Sequence, residues 1–254
     1  MLKTVNNTNA LIVGASQGIG LGFVRTLLLN KQVAKIYATY RNKESASKLI
    51  TLSQEHQERL TCLSLDITAE SQIEGAIKQI KADVSKLHLV VYCVGVLHEG
   101  ELTPEKSLRQ INAANLLYYF QINSIGAVLL AKHLMPLLRH GDRSVYASIS
   151  AKVGSIGDNR LGGWYGYRAS KAALNMFLKT TAIEYSRRCP KAIVVALHPG
   201  TTDTRLSQPF QKNVPPEKLF PVEHTVNLLS QVISNLEFKD SGEFFAWDGT
   251  RLPW

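Results

Sequence analysis

The chain has 254 residues, 45% apolar and 19% charged, too rich in core-forming side chains for a disordered chain and long enough for one large domain or two small ones. Lys and Arg outnumber Asp and Glu by 29 to 20, a net charge of +9 that suggests an anionic partner such as a nucleic acid, an acidic membrane or a phosphorylated ligand. The three cysteines, Cys62, Cys93 and Cys189, form no C-x-x-C pair and fit a reducing cytoplasm, and no leader pattern or run of 18 apolar residues marks export or anchoring.

The first apolar run, 10–13, reads as a strand and leads directly into Gly14-Ala15-Ser16-Gln17-Gly18-Ile19-Gly20. A helical pattern follows, with Leu21, Val24 and Leu28 on one face. A glycine loop between strand and helix lets the backbone approach a pyrophosphate, whose charge meets unpaired N–H groups and the positive end of the helix dipole. The same residues also match the G-x-S-x-G turn of a hydrolase nucleophile, with Ser16, Asp203 and His224 in the chain order of α/β-hydrolases. That serine hydrolase alternative lacks the earlier strand whose following loop would supply an oxyanion donor, and it leaves Gly20 without a role.

The second strand, 35–40, ends in Arg41-Asn42 with no carboxylate. In dinucleotide folds an acid at this point, about 20 residues past the loop, binds the 2′-hydroxyl of NAD, whereas a base accommodates the 2′-phosphate of NADP. Arg41 therefore favours NADP(H) over NAD(H). Strands are predicted at 60–65, 87–94 and 144–149, then a helix over 169–185, then strands at 192–197 and 243–246. The pattern predicts an α/β fold: a single doubly wound Rossmann-type domain over 1–254, with a seven-stranded parallel sheet and helices on both faces. The helices lie on both faces because every parallel crossover must pass over the sheet. The one long irregular stretch, 201–221, is expected to be a substrate lid.

Tyr167 and Lys171 lie four residues apart at the start of a helix and share a face. Bringing a tyrosine hydroxyl from a pKa near 10 to neutrality takes about 4 kcal/mol, and a neighbouring ammonium supplies the right sign of field. The seven histidines show no paired metal spacing, so no metal site is expected.

Taken together the residues resemble the short-chain dehydrogenase/reductase family along essentially the whole chain. The resemblance is carried by the Gly14/Gly18-Ile19-Gly20 loop, Asp66-Ile67, Gly95, Asn123 with Gly126, serines ending the fifth strand, Tyr167-x-x-x-Lys171, and Pro199-Gly200 with Thr204. Finer features look like the C-factor/Sniffer-like carbonyl reductase branch: Gly162-Gly163-Trp164-Tyr165, Gln208-Pro209-Phe210, and the ending Trp247-Asp248-Gly249-Thr250 with Leu252-Pro253-Trp254. The resemblance implies an NADP(H)-dependent oxidoreductase that moves hydride between nicotinamide and a carbonyl or alcohol. Tyr167 would be the general acid/base, Lys171 would hold the ribose and lower the tyrosine pKa, Asn123 would support a water relay, and Ser150 would orient the substrate oxygen. Cofactor contacts are implied at Gly14, Ser16, Gln17, Gly18, Ile19, Gly20, Arg41, Asp66, Ile67, Gly95, Tyr167, Lys171, Pro199, Gly200, Thr202 and Thr204.

Two departures stand out. Tyr92-Cys93-Val94-Gly95 replaces the Asn-Asn-Ala-Gly of many relatives, so strand-end hydrogen bonding must be met differently. Strand length selects Ser150, with Ser148 in reserve, while anchoring on Gly154-Ser155 puts Ala151 where the second of two serines usually falls. Trp164, Tyr165, Phe210 and Phe220 are candidate substrate-facing aromatics, and His198 is expected to shape the pocket. The helices near 112–138 and 169–186 would pack against a second subunit, as a homodimer or homotetramer. The expected partner is a small-molecule carbonyl or alcohol, with no nucleic acid and no membrane. A second reading is a dinucleotide-binding regulatory or signalling protein with little turnover.

Overall fold

The computed structural model describes residues 7–254, so the first six residues of the expected 1–254 domain lie outside the described residues. Among these there are nine strands: β1 (Thr8–Val13), β2 (Val33–Tyr40), β3 (Leu60–Ser64), β4 (Leu89–Tyr92), β5 (Ser144–Ile149), β6 (Ala192–His198), β7 (Thr201–Thr202), β8 (Leu219–Phe220) and β9 (Phe244–Ala246). Seven form one parallel sheet in the order β3-β2-β1-β4-β5-β6-β9. Strands covered on both faces need apolar residues at every position, and β1 shows this: Ala10 and Ile12 enter one core, Leu11 and Val13 the other.

Seven α-helices cover the sheet: α1 (Gly18–Leu29), α2 (Ser47–Glu55), α3 (Glu70–Asp83), α4 (Ala113–Phe120), α5 (Gly126–Leu138), α6 (Tyr165–Arg188) and α7 (Val222–Asn235). Buried side chains of α1, α2 and α7 pack on one face, those of α3, α5 and α6 on the other, which is the doubly wound arrangement predicted. The strand order reverses between β1 and β4, and in such sheets ligands bind at the carboxyl ends of strands beside that reversal.

A π-turn at Gln121–Ile125 joins α4 to α5. The resulting 26-residue helical segment is long and apolar enough to cross a bilayer, yet it is seated as a core helix. Leu130, Leu134, Leu137 and Leu138 are fully buried against the sheet, and Lys132 and His133 both bind Glu70 of α3.

Residues 201–221 are not irregular as expected. β7 and β8 pair in parallel, Thr201 with Leu219 and Thr202 with Phe220, and tight turns at Gln208–Asn213 and Pro216–Lys218 fill the interval. Two-residue strands carry no readable period, while Pro209 and Pro216 start the turns with a preset φ. At the far edge of the sheet the C-terminal residues fold back on β9, Ala246 N–H donating to Thr250 O and Leu252 N–H to Phe244 O, both at 2.8 Å.

Candidate active site

β1 runs into the glycine loop with left-handed backbone at Gly14 (φ 80°) and Gly18 (φ 54°). A Cβ on Gly20 would lie 2.2 Å from the Gly14 carbonyl oxygen, so the loop closes onto α1 only with glycine there. Thr39 of β2 anchors the loop, its hydroxyl accepting from Gly14 N–H at 3.1 Å and its carbonyl from Ala15 N–H at 2.7 Å. Gln17 precedes α1 and no side chain caps the helix, which leaves its first N–H groups to a ligand or to water. This cradle of closely packed backbone fits a dinucleotide pyrophosphate.

Asn123 sits inside the π-turn and is fully buried. Its Oδ1 accepts from Val96 N–H at 2.7 Å, while its Nδ2 donates to Val96 O at 2.9 Å and to Ser170 Oγ at 3.0 Å. Ser170 in turn donates to Tyr167 O at 2.8 Å. One amide thus fastens the loop after β4, the π-turn and the first turns of α6 together. Lys171 follows one turn after Tyr167, buried, with Nζ donating to Ile149 O at 3.0 Å and lying 5.9 Å from the Tyr167 ring centre.

Burial holds the Lys171 ammonium down to about 8, opposed by the neighbouring Cys93. Burial, with Tyr119 adding to it, pushes the Tyr167 hydroxyl above its ordinary value. The isolated protein therefore keeps Tyr167 as a proton donor at neutral pH. A Cβ on Gly95 would lie 3.4 Å from Lys171 Nζ and 3.5 Å from Asn123 Oδ1, so this glycine keeps the space between them open. A Cβ on Gly154 would lie 2.7 Å from Lys171 Cβ, and the bare glycine lets the turn after β5 close onto α6.

At the end of β4, Tyr92 donates its hydroxyl to Ile122 O inside the π-turn at 2.9 Å, and Tyr119 donates to Leu97 O in the following loop at 2.7 Å. Burial pushes the Cys93 thiol up, away from a reactive thiolate.

The Ser150 hydroxyl donates to Asn175 Oδ1 at 2.7 Å, and the adjacent Ala151 side chain packs against the cluster of Tyr167, Tyr119, Val96 and Leu97. Alternation along β5 sends Tyr146, Ser148 and Ser150 to the α6 side, where Ser150 is tied beneath the helix. Ser148, the reserve choice, has a buried hydroxyl without a partner.

The remaining expected cofactor residues line the same end of the sheet. Asp66 accepts from Thr68 N–H and its hydroxyl at 2.9 and 2.7 Å, and the Ile67 side chain is buried at a point where a Cβ on Gly126 would touch it. Gly200 (φ 73°) turns the chain after Pro199, and Thr202 exchanges a 2.9 Å hydroxyl bond with Thr225. The start of the 201–221 segment lies over the glycine loop, since a Cβ on Gly18 would be 3.3 Å from Thr204 Cγ2. Ser16 and Ile19 are half-buried and Gln17 is exposed beside them. The hydrolase triad is not assembled: Asp203 accepts from Gln211, and His224 packs edge-on to Phe220 with centroids 5.1 Å apart.

Of the four aromatics, Trp164 and Phe210 gather near Tyr167. The Trp164 ring stands edge-on to Tyr167 at 6.2 Å and to Phe210 of the lid at 5.0 Å. Tyr165 is turned to the surface, and Phe220 packs on Trp247 beside Gly200. His198 accepts from Lys152 N–H at 3.3 Å, and burial holds its ring down to about 4.

Three carriers of the site went unread in the sequence. Glu105 is buried and caps α6, its Oε2 accepting from Gly166 N–H at 3.0 Å and its carbonyl from Trp164 N–H. It thereby holds Trp164 in left-handed backbone (φ 52°) just before the helix. Glu99 and Tyr118 form a group with Arg41: Arg41 Nη2 lies 2.7 Å from Glu99 Oε1, and Tyr118 donates to Glu99 Oε2. Residues so far from their partners in the chain leave no local pattern to find.

The family model for short chain dehydrogenase matches residues 8–215. The chain is 32% identical to C-signal of Myxococcus xanthus over 148 residues, which is 58% of this chain and 84% of that protein. In three dimensions it is similar to NADPH-bound carbonyl reductase from chicken fatty liver, with a TM-score of 0.87, 28% identity, and 98% of this chain and 100% of that chain covered. It is also similar to carbonyl reductase Sniffer of D. melanogaster, with a TM-score of 0.85, 26% identity and the same coverage. Because the family match extends from β1 past β7 and takes in both the glycine loop and Tyr167, the chain belongs to the short-chain dehydrogenase family of NAD(P)-dependent oxidoreductases.

Proposed function

We propose that the protein is an NADP(H)-dependent carbonyl reductase, interconverting an aldehyde or ketone with its alcohol. The observation that carries this reading is the buried Lys171 ammonium 5.9 Å from the centre of the Tyr167 ring, with Asn123 fixing both the loop at Val96 and the helix turn at Ser170. A bound nicotinamide would supply or accept the hydride. Tyr167 gives its proton to the substrate oxygen in reduction and takes it back in oxidation. Lys171 stabilises the tyrosinate that remains, an effect of the right sign for a cation at this separation. Gly14, Gly18 and Gly20 would hold the pyrophosphate, Arg41 the 2′-phosphate, and Gly95, Pro199, Gly200, Thr202 and Thr204 the nicotinamide end. Trp164 and Phe210 give the substrate an aromatic wall beside Tyr167. Preference for NADP(H) is supported by Arg41 and by the NADPH held in the chicken carbonyl reductase. The three cysteines are free, in keeping with a reducing cytoplasm. Exposed Leu117, Met176 and Ile183 on α4 and α6 support pairing with a second copy.

A second reading, a dinucleotide-binding signalling protein with little turnover, is favoured by Ala151 in place of a serine and by the similarity to C-signal. Following NADPH oxidation over a panel of aliphatic, aromatic and quinone carbonyls separates the two. Turnover of any class supports the reductase, and NADPH binding without oxidation across the panel supports the signalling protein.

A further inference from the structure

Arg41 is not a free cation awaiting a phosphate. It leaves the carboxyl end of β2, Glu99 stands in the loop after β4, and β1 runs between those two strands. The Arg41–Glu99 ion pair, 2.7 Å from Nη2 to Oε1, thus links the chain segments that leave the two strands flanking β1, whose carboxyl end begins the glycine loop. Tyr118 of α4 fixes the other carboxylate oxygen of Glu99. The preceding residue, His98, joins the same loop to the lid through its Nε2, 3.0 Å from Arg205 O. The bonds from Tyr118 and Arg41 hold the Glu99 carboxyl below the usual carboxylate range, so it is charged at neutral pH.

A 2′-phosphate arriving at Arg41 competes with Glu99 for the Nη2 end of the guanidinium, and it brings negative charge beside a carboxylate. A 2′-hydroxyl brings no charge and makes no such demand. We propose that Glu99 is a specificity-determining residue: by occupying Arg41 across the cofactor groove and opposing the incoming phosphate, it holds down affinity for the 2′-phosphorylated dinucleotide while leaving NAD(H) binding unaffected. This rests on Arg41 being the 2′-phosphate ligand. Tyr118 acts through Glu99, keeping the carboxylate pointed at Arg41.

Dissociation constants for NADPH and NADH, measured by calorimetry on wild type, Glu99→Gln, Arg41→Ala and the double variant, test the assignment. Both side chains are about half exposed, so the variants retain the fold. For an ion pair of this exposure, Glu99→Gln is expected to tighten NADPH about fivefold. NADH should be unmoved, and the gain should vanish when Arg41 is alanine. NADPH binding unchanged by Glu99→Gln, or both cofactors tightened equally, overturns the role of Glu99, provided Arg41→Ala still weakens NADPH. If Arg41→Ala leaves NADPH binding intact, the 2′-phosphate reading falls, and the inference with it.

Discussion

Ser150 donates its hydroxyl to Asn175 Oδ1 at 2.7 Å, one helical turn beyond Lys171 and beneath α6. Both residues are about 3% exposed, so the bond is shielded from water and helps hold α6 against the end of β5. Removing the hydroxyl leaves a buried amide oxygen without a donor, a loss of about 1–3 kcal/mol. Ser150→Ala should therefore lower the urea midpoint while leaving kcat within about twofold. Ala151→Ser should raise kcat by about fivefold, by adding a hydroxyl donor to the cluster around Tyr167. A hundredfold fall in kcat for Ser150→Ala would restore Ser150 to the reaction itself.

Lys171 is held down to about 8 by burial and must be an ammonium to stabilise a tyrosinate. The reduction rate should fall as pH rises through about 8, and Lys171→Met should abolish that limb together with most of the rate. The stability profile has its own sign. An unfolded lysine titrates near 10.4, so between about 8 and that value the unfolded chain binds more protons than the folded one, and stability rises with pH. Burial raises the Cys93 thiol, and its titration in the unfolded chain opposes this rise from about 8.5 upward, so melting curves across this window should show wild type gaining stability relative to Lys171→Met as pH rises.

The acid side belongs to His198 and His88, both lowered by burial, His198 to about 4 and His88 with the His140 ring adding to the effect. Below the unfolded value near 6.5 the unfolded chain takes up protons first, so stability is lost as pH falls from about 6.5 toward 4. His198 alone contributes up to about 3 kcal/mol of this loss. His198→Gln should flatten the decline over that range, which urea titrations at a series of pH values will show. An unaltered slope would remove His198 from the account of acid sensitivity.

Glu105 caps α6 with a bond from Gly166 N–H to its Oε2, at a helix end with no acidic residue of its own. Its neighbours forbid rearrangement, since a Cβ on Gly166 would already lie 2.4 Å from the Tyr119 ring. Glu105→Ala should cost about 1–2 kcal/mol of stability and lower kcat more than it raises KM, because Trp164 and Tyr167 lose their fixed start. Glu105→Gln keeps an acceptor and should recover most of both.

How much of this was legible follows from how far apart in sequence the determinants lie. β5 is legible at its observed bounds because Val145, Tyr146, Ala147 and Ile149 crowd into six residues, and the glycine loop because its spacing is local. Tyr167 and Lys171 were legible for the same reason: one helical turn brings them together. Alternation along β5 could have turned Ser150 toward α6, yet nothing local says that Asn175 waits there. Arg41 reads as a lone base because Glu99 comes 58 residues later. Glu105 reaches Gly166 across 61 residues. The two-residue strands of the lid are shorter than any period, so the prolines of 201–221 looked like loop alone.

The most direct measurement is single-turnover oxidation of bound NADPH by a carbonyl substrate in wild type and in Tyr167→Phe, with the NADPH dissociation constant determined on the same preparations. The phenylalanine keeps the packing against Trp164 and Tyr119 and removes only the proton donor. A rate lower by about 10²–10⁴, with NADPH binding unchanged, is the outcome expected of a general acid. Oxidation of NADPH by Tyr167→Phe at the wild-type rate would contradict it.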